Sequence, residues 1–227
     1  MDGFISWLSR RSLSVLHRLG GVLGWVAFLA SGIYRRRFLD NARQAGYGFA
    51  TVRAAVAHTG RMVAELPRLW GGQPVPVDWD GAEVAEAAYA AGKGVVFLTP
   101  HLGCFEITAQ ALAERFSPRY GALTVLYRPA RQRWLRQWME RSRQRPGLEA
   151  VPTSLSGVRQ MLKALRQGRA VGLLPDQVPP EGLGLWSPVF GRPAYTMTLA
   201  ARLAQQSGAA VLTIWGERRA GGTGFTV

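Results

Sequence analysis

Cysteine appears once in the 227 residues, at Cys104, so no internal disulfide can staple this chain. Histidine is nearly as rare. His17, His58 and His101 complete the set, and with one thiol they form no cluster at zinc-like spacing, so no metal centre is expected. Lysine occurs only at Lys93 and Lys163. The segment Gly92-Lys93-Gly94 precedes an apolar run instead of following one and lacks the Gly-Lys-Ser/Thr ending, which excludes a P-loop. Acids are scarce too: Asp and Glu total 14 against 28 Lys plus Arg, for a net charge of +14. Internal repeats, low-complexity tracts and interdomain linkers are also missing.

What is present begins with arginine, which carries nearly all the positive charge. Such charge favours anionic membranes, phosphorylated lipids, acidic carrier proteins or nucleic acid. Its densest stretch runs from Arg115 to Arg145, where Glu140 is the one acid. A helix over Arg131–Gln144 is expected there, turned mostly to solvent or offering a docking face to an acidic partner. Trp134 and Trp138 are four apart and read as an apolar helix face, not as a platform for stacked bases, which argues against a nucleic-acid partner. The length suits one α/β domain with a small appendage, and a hydrophobic fraction of 48% allows a sizeable core.

Leu19 to Tyr34 is uncharged and apolar, with Trp25 inside it, Arg18 before it and Arg35-Arg36-Arg37 after it. It falls short of the ~20 residues that cross hydrocarbon squarely. The expectation is one anchoring or interfacial helix over residues 1–34, with a buried core helix as the alternative. The triple arginine directs the following domain, 35–227, to the cytoplasmic side.

Two amphipathic helices are expected at Arg36–Gly46 and Phe49–Trp70, then a helix at Trp79–Ala91. From there strands and helices alternate. Strands are expected at Val95–Thr99, Leu123–Tyr127, Glu149–Val151, Ala170–Leu174 and Ala210–Trp215. Helices are expected at Phe105–Arg115, Arg131–Arg145, Leu155–Gln167 and Ala194–Ser207, and Pro175–Pro193 reads as a long loop. This order predicts an α/β fold: a mainly parallel central sheet with helices on both faces, preceded by the hydrophobic helix and the two amphipathic ones. The last residues, Gly224 to Val227, look like the start of a strand, and a truncated C-terminus is expected.

Thr99-Pro100-His101-Leu102-Gly103-Cys104-Phe105-Glu106 is the most informative segment. His101 falls just past a buried strand, where open α/β sheets place ligands. Residues five apart do not face each other on one helix. His101 therefore sits before the helix, with Glu106 reaching back from its first turns to fix the ring tautomer and leave the other nitrogen free as a base. The bland alternative is a His that caps backbone N–H groups and a Glu that complements the helix dipole. Two other strands end in polar residues: Tyr127-Arg128-Pro129 and Pro175-Asp176-Gln177. If the strands are parallel, His101, Arg128 and Asp176 gather at one edge of the sheet. Cys104 reads as a small buried side chain, not a nucleophile. Leu183, Leu185, Trp186, Val189 and Phe190 in the long loop suit an acyl chain or a bilayer surface, or fold onto the core.

His101-x-x-x-x-Glu106 behind an apolar strand resembles the His-x4-Asp/Glu block of membrane glycerolipid acyltransferases. The order TPHLGCFE, LYRP, LPDQ and FGRPAYT resembles more closely the late acyltransferases of lipid A biosynthesis, over essentially the whole chain from Trp7. The resemblance implies a bacterial inner-membrane enzyme, its active domain on the cytoplasmic face. That enzyme would move a fatty acyl chain from acyl carrier protein to a hydroxyl of a phosphorylated glycolipid acceptor, a lipid A precursor, with no cofactor. It implies His101 as general base and Glu106 as its partner, with Gly103, Arg128, Asp176, Gln177 and Arg192 in substrate binding. Family members run longer than this chain. Two other readings stay open: an acyltransferase acting on a lysophospholipid or other glycolipid, and a membrane-tethered basic binding protein without catalysis.

Overall fold

The computed structural model describes residues 2–127 and 145–227. The chain divides into two compact units. One comprises residues 1–76, 187–194 and 218–224, and the other comprises 77–186, 195–217 and 225–227.

The first unit is built on helices α1 (Asp2–Ser9), α2 (Leu13–Ala30), α3 (Gly32–Gln44) and α4 (Phe49–Gly71). Ser12 caps α2, accepting from the Val15 N–H at 3.4 Å. Ser31 does the same for α3 through the Tyr34 N–H at 3.3 Å. That second cap divides the apolar run read as one segment, because a serine that captures a first-turn N–H starts a new helix. Helix α2 buries Leu16, His17, Gly20, Gly21 and Gly24, and its backbone lies directly on α4. A Cβ on Gly60 would collide with the Gly20 carbonyl oxygen, so glycine here permits the close approach of two helices. Farther along, Phe28 packs between Phe38 and Phe49, with centroids at 5.5 and 5.6 Å. Beneath α2 and α4 lies a buried ionic cluster. Glu65 is fully buried; its Oε2 lies 2.9 Å from His17 Nε2 and accepts from Arg218 Nε at 2.8 Å.

The second unit holds a five-stranded sheet of β2 (Val95–Leu98), β3 (Leu123–Tyr127), β4 (Leu148–Pro152), β5 (Ala170–Leu173) and β8 (Ala210–Thr213). The spatial order is β4-β3-β5-β2-β8, and all neighbours run parallel. Strands β2 and β5 at its centre are apolar and almost wholly buried, as strands covered on both faces must be. Helices α5 (Ala82–Ala90), α6 (Phe105–Tyr120), α7 (Leu155–Arg166) and α8 (Leu199–Ser207) belong to this unit. Val96, Val171 and Leu173 pack with Met161, Leu165 and Leu203 of α7 and α8. Phe97, pointing to the opposite face by strand alternation, meets Tyr89 of α5 at 5.8 Å, and Tyr89 stacks on Phe116 of α6 at 5.1 Å. A mainly parallel sheet with helices on both faces was expected, and it is present. A smaller sheet has the order β1 (Val77–Asp78), β10 (Phe225–Thr226), β9 (Glu217–Arg218), and β10 is the strand anticipated at the end of the sequence.

Beyond β5 the order of elements differs from expectation. The segment read as a loop, 175–193, contains β6 (Gly184–Val189), which pairs with β7 (Arg192–Met197) in a two-stranded ribbon. Its turn, Phe190-Gly191, has φ of 48° and 76°, the doubly left-handed geometry favoured in tight hairpins. Pro188 and Pro193 hid the strands, although a ribbon with free edges tolerates proline. Helix α8 consequently begins at Leu199, not Ala194. The helix expected at Arg131–Arg145 lies, except for Arg145, outside the described residues.

Candidate active site

The chain leaves β2 toward β3 and leaves β5 toward β8, in opposite directions along the sheet. These two strands are hydrogen-bonded neighbours, Leu98 level with Leu173, so their carboxyl ends mark the topological switch point of the sheet. Pairing continues one residue further, with the Thr99 N–H donating to the Leu173 carbonyl at 3.1 Å. Each strand then runs through a proline, Pro100 or Pro175, and reaches a polar residue three positions past its last paired leucine. Those residues are His101 and Asp176.

They meet. His101 Nδ1 lies 2.8 Å from Asp176 Oδ1, and the His101 backbone N–H donates to Oδ2 at 2.8 Å. Burial pushes the Asp176 carboxyl up, but hydrogen bonds from the His101 backbone and ring, with the charge on that ring, outweigh it and hold the carboxyl below its ordinary value. An ionised Asp176 only accepts, so Nδ1 carries a proton, and in the neutral imidazole Nε2 keeps its lone pair. Gln177 Nε2 faces that lone pair at 3.3 Å. The Phe105 ring stands edge-on to the imidazole, with centroids at 4.7 Å. The His101 side chain keeps 34% of its surface exposed, enough for a reactant to approach.

The turn into α6 explains this placement. Gly103 has φ +60°, and a Cβ there would strike the Gly216 carbonyl oxygen. The Cys104 N–H donates to that same oxygen at 2.8 Å, locking the turn beside β8. Thr108 Oγ1 lies 2.7 Å from the Phe105 carbonyl and 3.3 Å from Thr99 Oγ1, which ties α6 to the tip of β2. Cys104 itself is buried, as expected.

Of the residues anticipated from sequence, His101, Asp176 and Gln177 come together. Glu106 sits half-buried in the first turn of α6, and the carboxylate at Nδ1 is that of Asp176. Gly103 forms the turn. Arg192 is the exposed first residue of β7 and belongs to the other compact unit. Arg128 lies outside the described residues. Sequence reading missed Phe105 and the pairing of Asp176 with the ring. A signal for the pairing existed: Leu98-Thr-Pro-His and Leu173-Leu-Pro-Asp repeat one pattern at the ends of two parallel strands.

Chemically, the cluster is an oriented imidazole with an available nitrogen, able to remove a proton from a hydroxyl. Residues 50–227 match the family model described as bacterial lipid A biosynthesis acyltransferase. No curated protein matches the chain.

Proposed function

The chain belongs to the bacterial lipid A biosynthesis acyltransferase family, and on that premise we propose that it transfers a fatty acyl chain from an acyl carrier protein thioester to a hydroxyl of a lipid A precursor, at the bacterial inner membrane. The observation that carries the mechanism is the 2.8 Å pairing of His101 Nδ1 with Asp176. It leaves Nε2 as the base. The acceptor hydroxyl displaces the Gln177 amide from Nε2, gives up its proton there and attacks the thioester carbonyl. The tetrahedral oxyanion then collapses, the C–S bond breaks, and the imidazolium returns the proton to the departing thiolate. Asp176 stabilises the charged ring in between.

Glu106 remains in the proposal as the second carboxylate of the motif, set at the start of α6 and available to favour the imidazolium. Donors for the oxyanion come from the Gln177 amide and the first-turn N–H groups of α6, whose helix end carries partial positive charge. Gly103 keeps that helix start against the site, and Arg128 and Arg192 stay in the proposal as substrate-binding residues, arginine being the side chain that grips phosphate in bidentate fashion. Net charge of +14 suits both an acidic carrier protein and a phosphorylated acceptor.

The test is transfer by purified full-length protein from acyl carrier protein to a detergent-dispersed lipid A precursor, followed by the mass gained by the acceptor. His101→Ala should retain its fold and lose ~10²–10⁴-fold in rate, the usual contribution of a general base. Full activity in that variant ends the assignment. Acylation of a lysophospholipid in preference to the lipid A precursor would keep the chemistry and change the acceptor.

A further inference from the structure

We infer that α2 lies in the plane of an anionic bilayer as the apolar face of a helical docking unit, and does not cross the membrane. The inference rests on the reading of this protein as membrane-bound. It decides how the membrane is held.

Length leaves the question open. Eighteen residues of helix span about 27 Å, close to the hydrocarbon thickness, and α2 is apolar enough to cross by composition. Its packing decides otherwise. Gly20 and Gly24 bring the α2 backbone against α4 so closely that a Cβ on either would overlap Arg61 or Val56 backbone atoms. Helix α2 cannot enter lipid alone without stripping that interface. Nor can α4 accompany it, because α4 carries Arg53, His58, Arg61, Glu65 and Arg68 along its length, with Arg53 and His58 exposed. His17 of α2 is held by Glu65 at 2.9 Å, and Glu65 is held by Arg218 at 2.8 and 2.5 Å. A crossing helix would carry this ionic cluster toward hydrocarbon.

The opposite face of α2 has the properties an interface requires. Leu19, Val22, Leu23, Val26 and Leu29, with Ile33 at the start of α3, are 46–71% exposed and recur at three- and four-residue spacing along one stripe. Arg18 at one end and Arg36 and Arg37 at the other are exposed. Arg35 Nη1 bonds the Leu29 carbonyl at 3.0 Å, anchoring the basic cluster to the end of the stripe. Within residues 1–76, arginine occupies ten positions (10, 11, 18, 35, 36, 37, 43, 53, 61 and 68), against three acids, Asp2, Asp40 and Glu65. Of those acids, Glu65 is buried and Asp40 is paired with Arg43 at 2.9 Å. On α1, Phe4 and Trp7 are exposed and stacked, with Arg11 4.4 Å above the Trp7 ring. An apolar stripe bordered by arginine and an amphipathic aromatic is the composition of a helix lying at the headgroup level of anionic lipid.

The experiment adds full-length protein to sealed vesicles, either of phosphatidylcholine with phosphatidylglycerol or of phosphatidylcholine alone. Binding should require the anionic lipid and weaken with salt. Val26→Glu should lower vesicle affinity at least tenfold and leave transfer to a detergent-dispersed acceptor unchanged. Topology is read with Ser6→Cys on α1 and Ser156→Cys on α7, since the native Cys104 is buried. An impermeant maleimide should label both engineered thiols on intact vesicles. Labelling of the Ser156→Cys variant alone, with the Ser6→Cys thiol reached only after detergent, would overturn the inference in favour of a spanning helix. Unchanged binding by Val26→Glu, or self-association of the native chain with no vesicle binding, would overturn it too. Loss of transfer in detergent by the native protein would strike the enzymatic reading instead, and sedimentation with vesicles would still report on docking.

Discussion

His101 and Asp176 stand 75 residues apart in the chain, the same offset that pairs Val95 with Ala170 and Leu98 with Leu173 across β2 and β5. Their meeting is therefore a continuation of the strand register past two prolines. Parallel pairing carries two equal-length exits from the sheet to the same height, and the exits deliver an imidazole and a carboxylate. Four consequences can be measured.

Two carboxylates compete for the role of orienting the base. Because Asp176 holds Nδ1 at 2.8 Å, Asp176→Asn should lower kcat on the order of 10²–10⁴-fold with little change in acceptor KM. Glu106→Gln should lose less. Initial rates at saturating acceptor decide between them, and a larger loss for Glu106→Gln would return the orienting role to Glu106.

Acid should weaken the site by a defined route. The Asp176 carboxyl lies below its ordinary value in the folded protein. Its stabilising contribution is thus present above the unfolded carboxylate value and is lost as pH falls through the folded one. The stability difference between native protein and Asp176→Asn should hold from neutral pH down to about 4, then decline, and vanish only once the pH has fallen below the folded value. Urea titrations at several pH values measure this directly.

Gly103→Ala should cost about 1–3 kcal/mol from the left-handed backbone alone, because φ is +60°. Further loss should come from the collision of the new Cβ with the Gly216 carbonyl. Denaturant unfolding gives the stability. Activity should fall more steeply, since the turn sets the distance between His101 and the start of α6.

In the helical unit, Glu65→Ala leaves Arg218 and His17 buried without their carboxylate. A loss of about 3–5 kcal/mol is expected for breaking such a pair from one side, read as a shift of the denaturation midpoint. A change under about 1 kcal/mol would show that water reaches the cluster.

Much of this architecture is legible in the order of residues alone. Val95–Leu98 and Ala170–Leu173 are continuous apolar runs, and only a strand covered on both faces tolerates that composition. The ribbon 184–197 was not legible, because proline and glycine at positions 188, 191 and 193 signal a loop to any local reading. Two-residue turns with positive φ at Phe190 and Gly191 emerge only when the strands pair. The apolar run from Leu19 likewise gave no sign of its break, since the Ser31 cap acts through geometry.

The linear order of residues by itself determined the α/β alternation, the position of His101 beyond a buried strand, and the excess of arginine. All three depend on composition and short-range periodicity. Tertiary structure alone decided that Asp176 faces the imidazole and that one face of α2 is pressed against α4. Those outcomes depend on strand register and on helix backbones closing over glycine, contacts between residues far apart in the chain that no local spacing encodes.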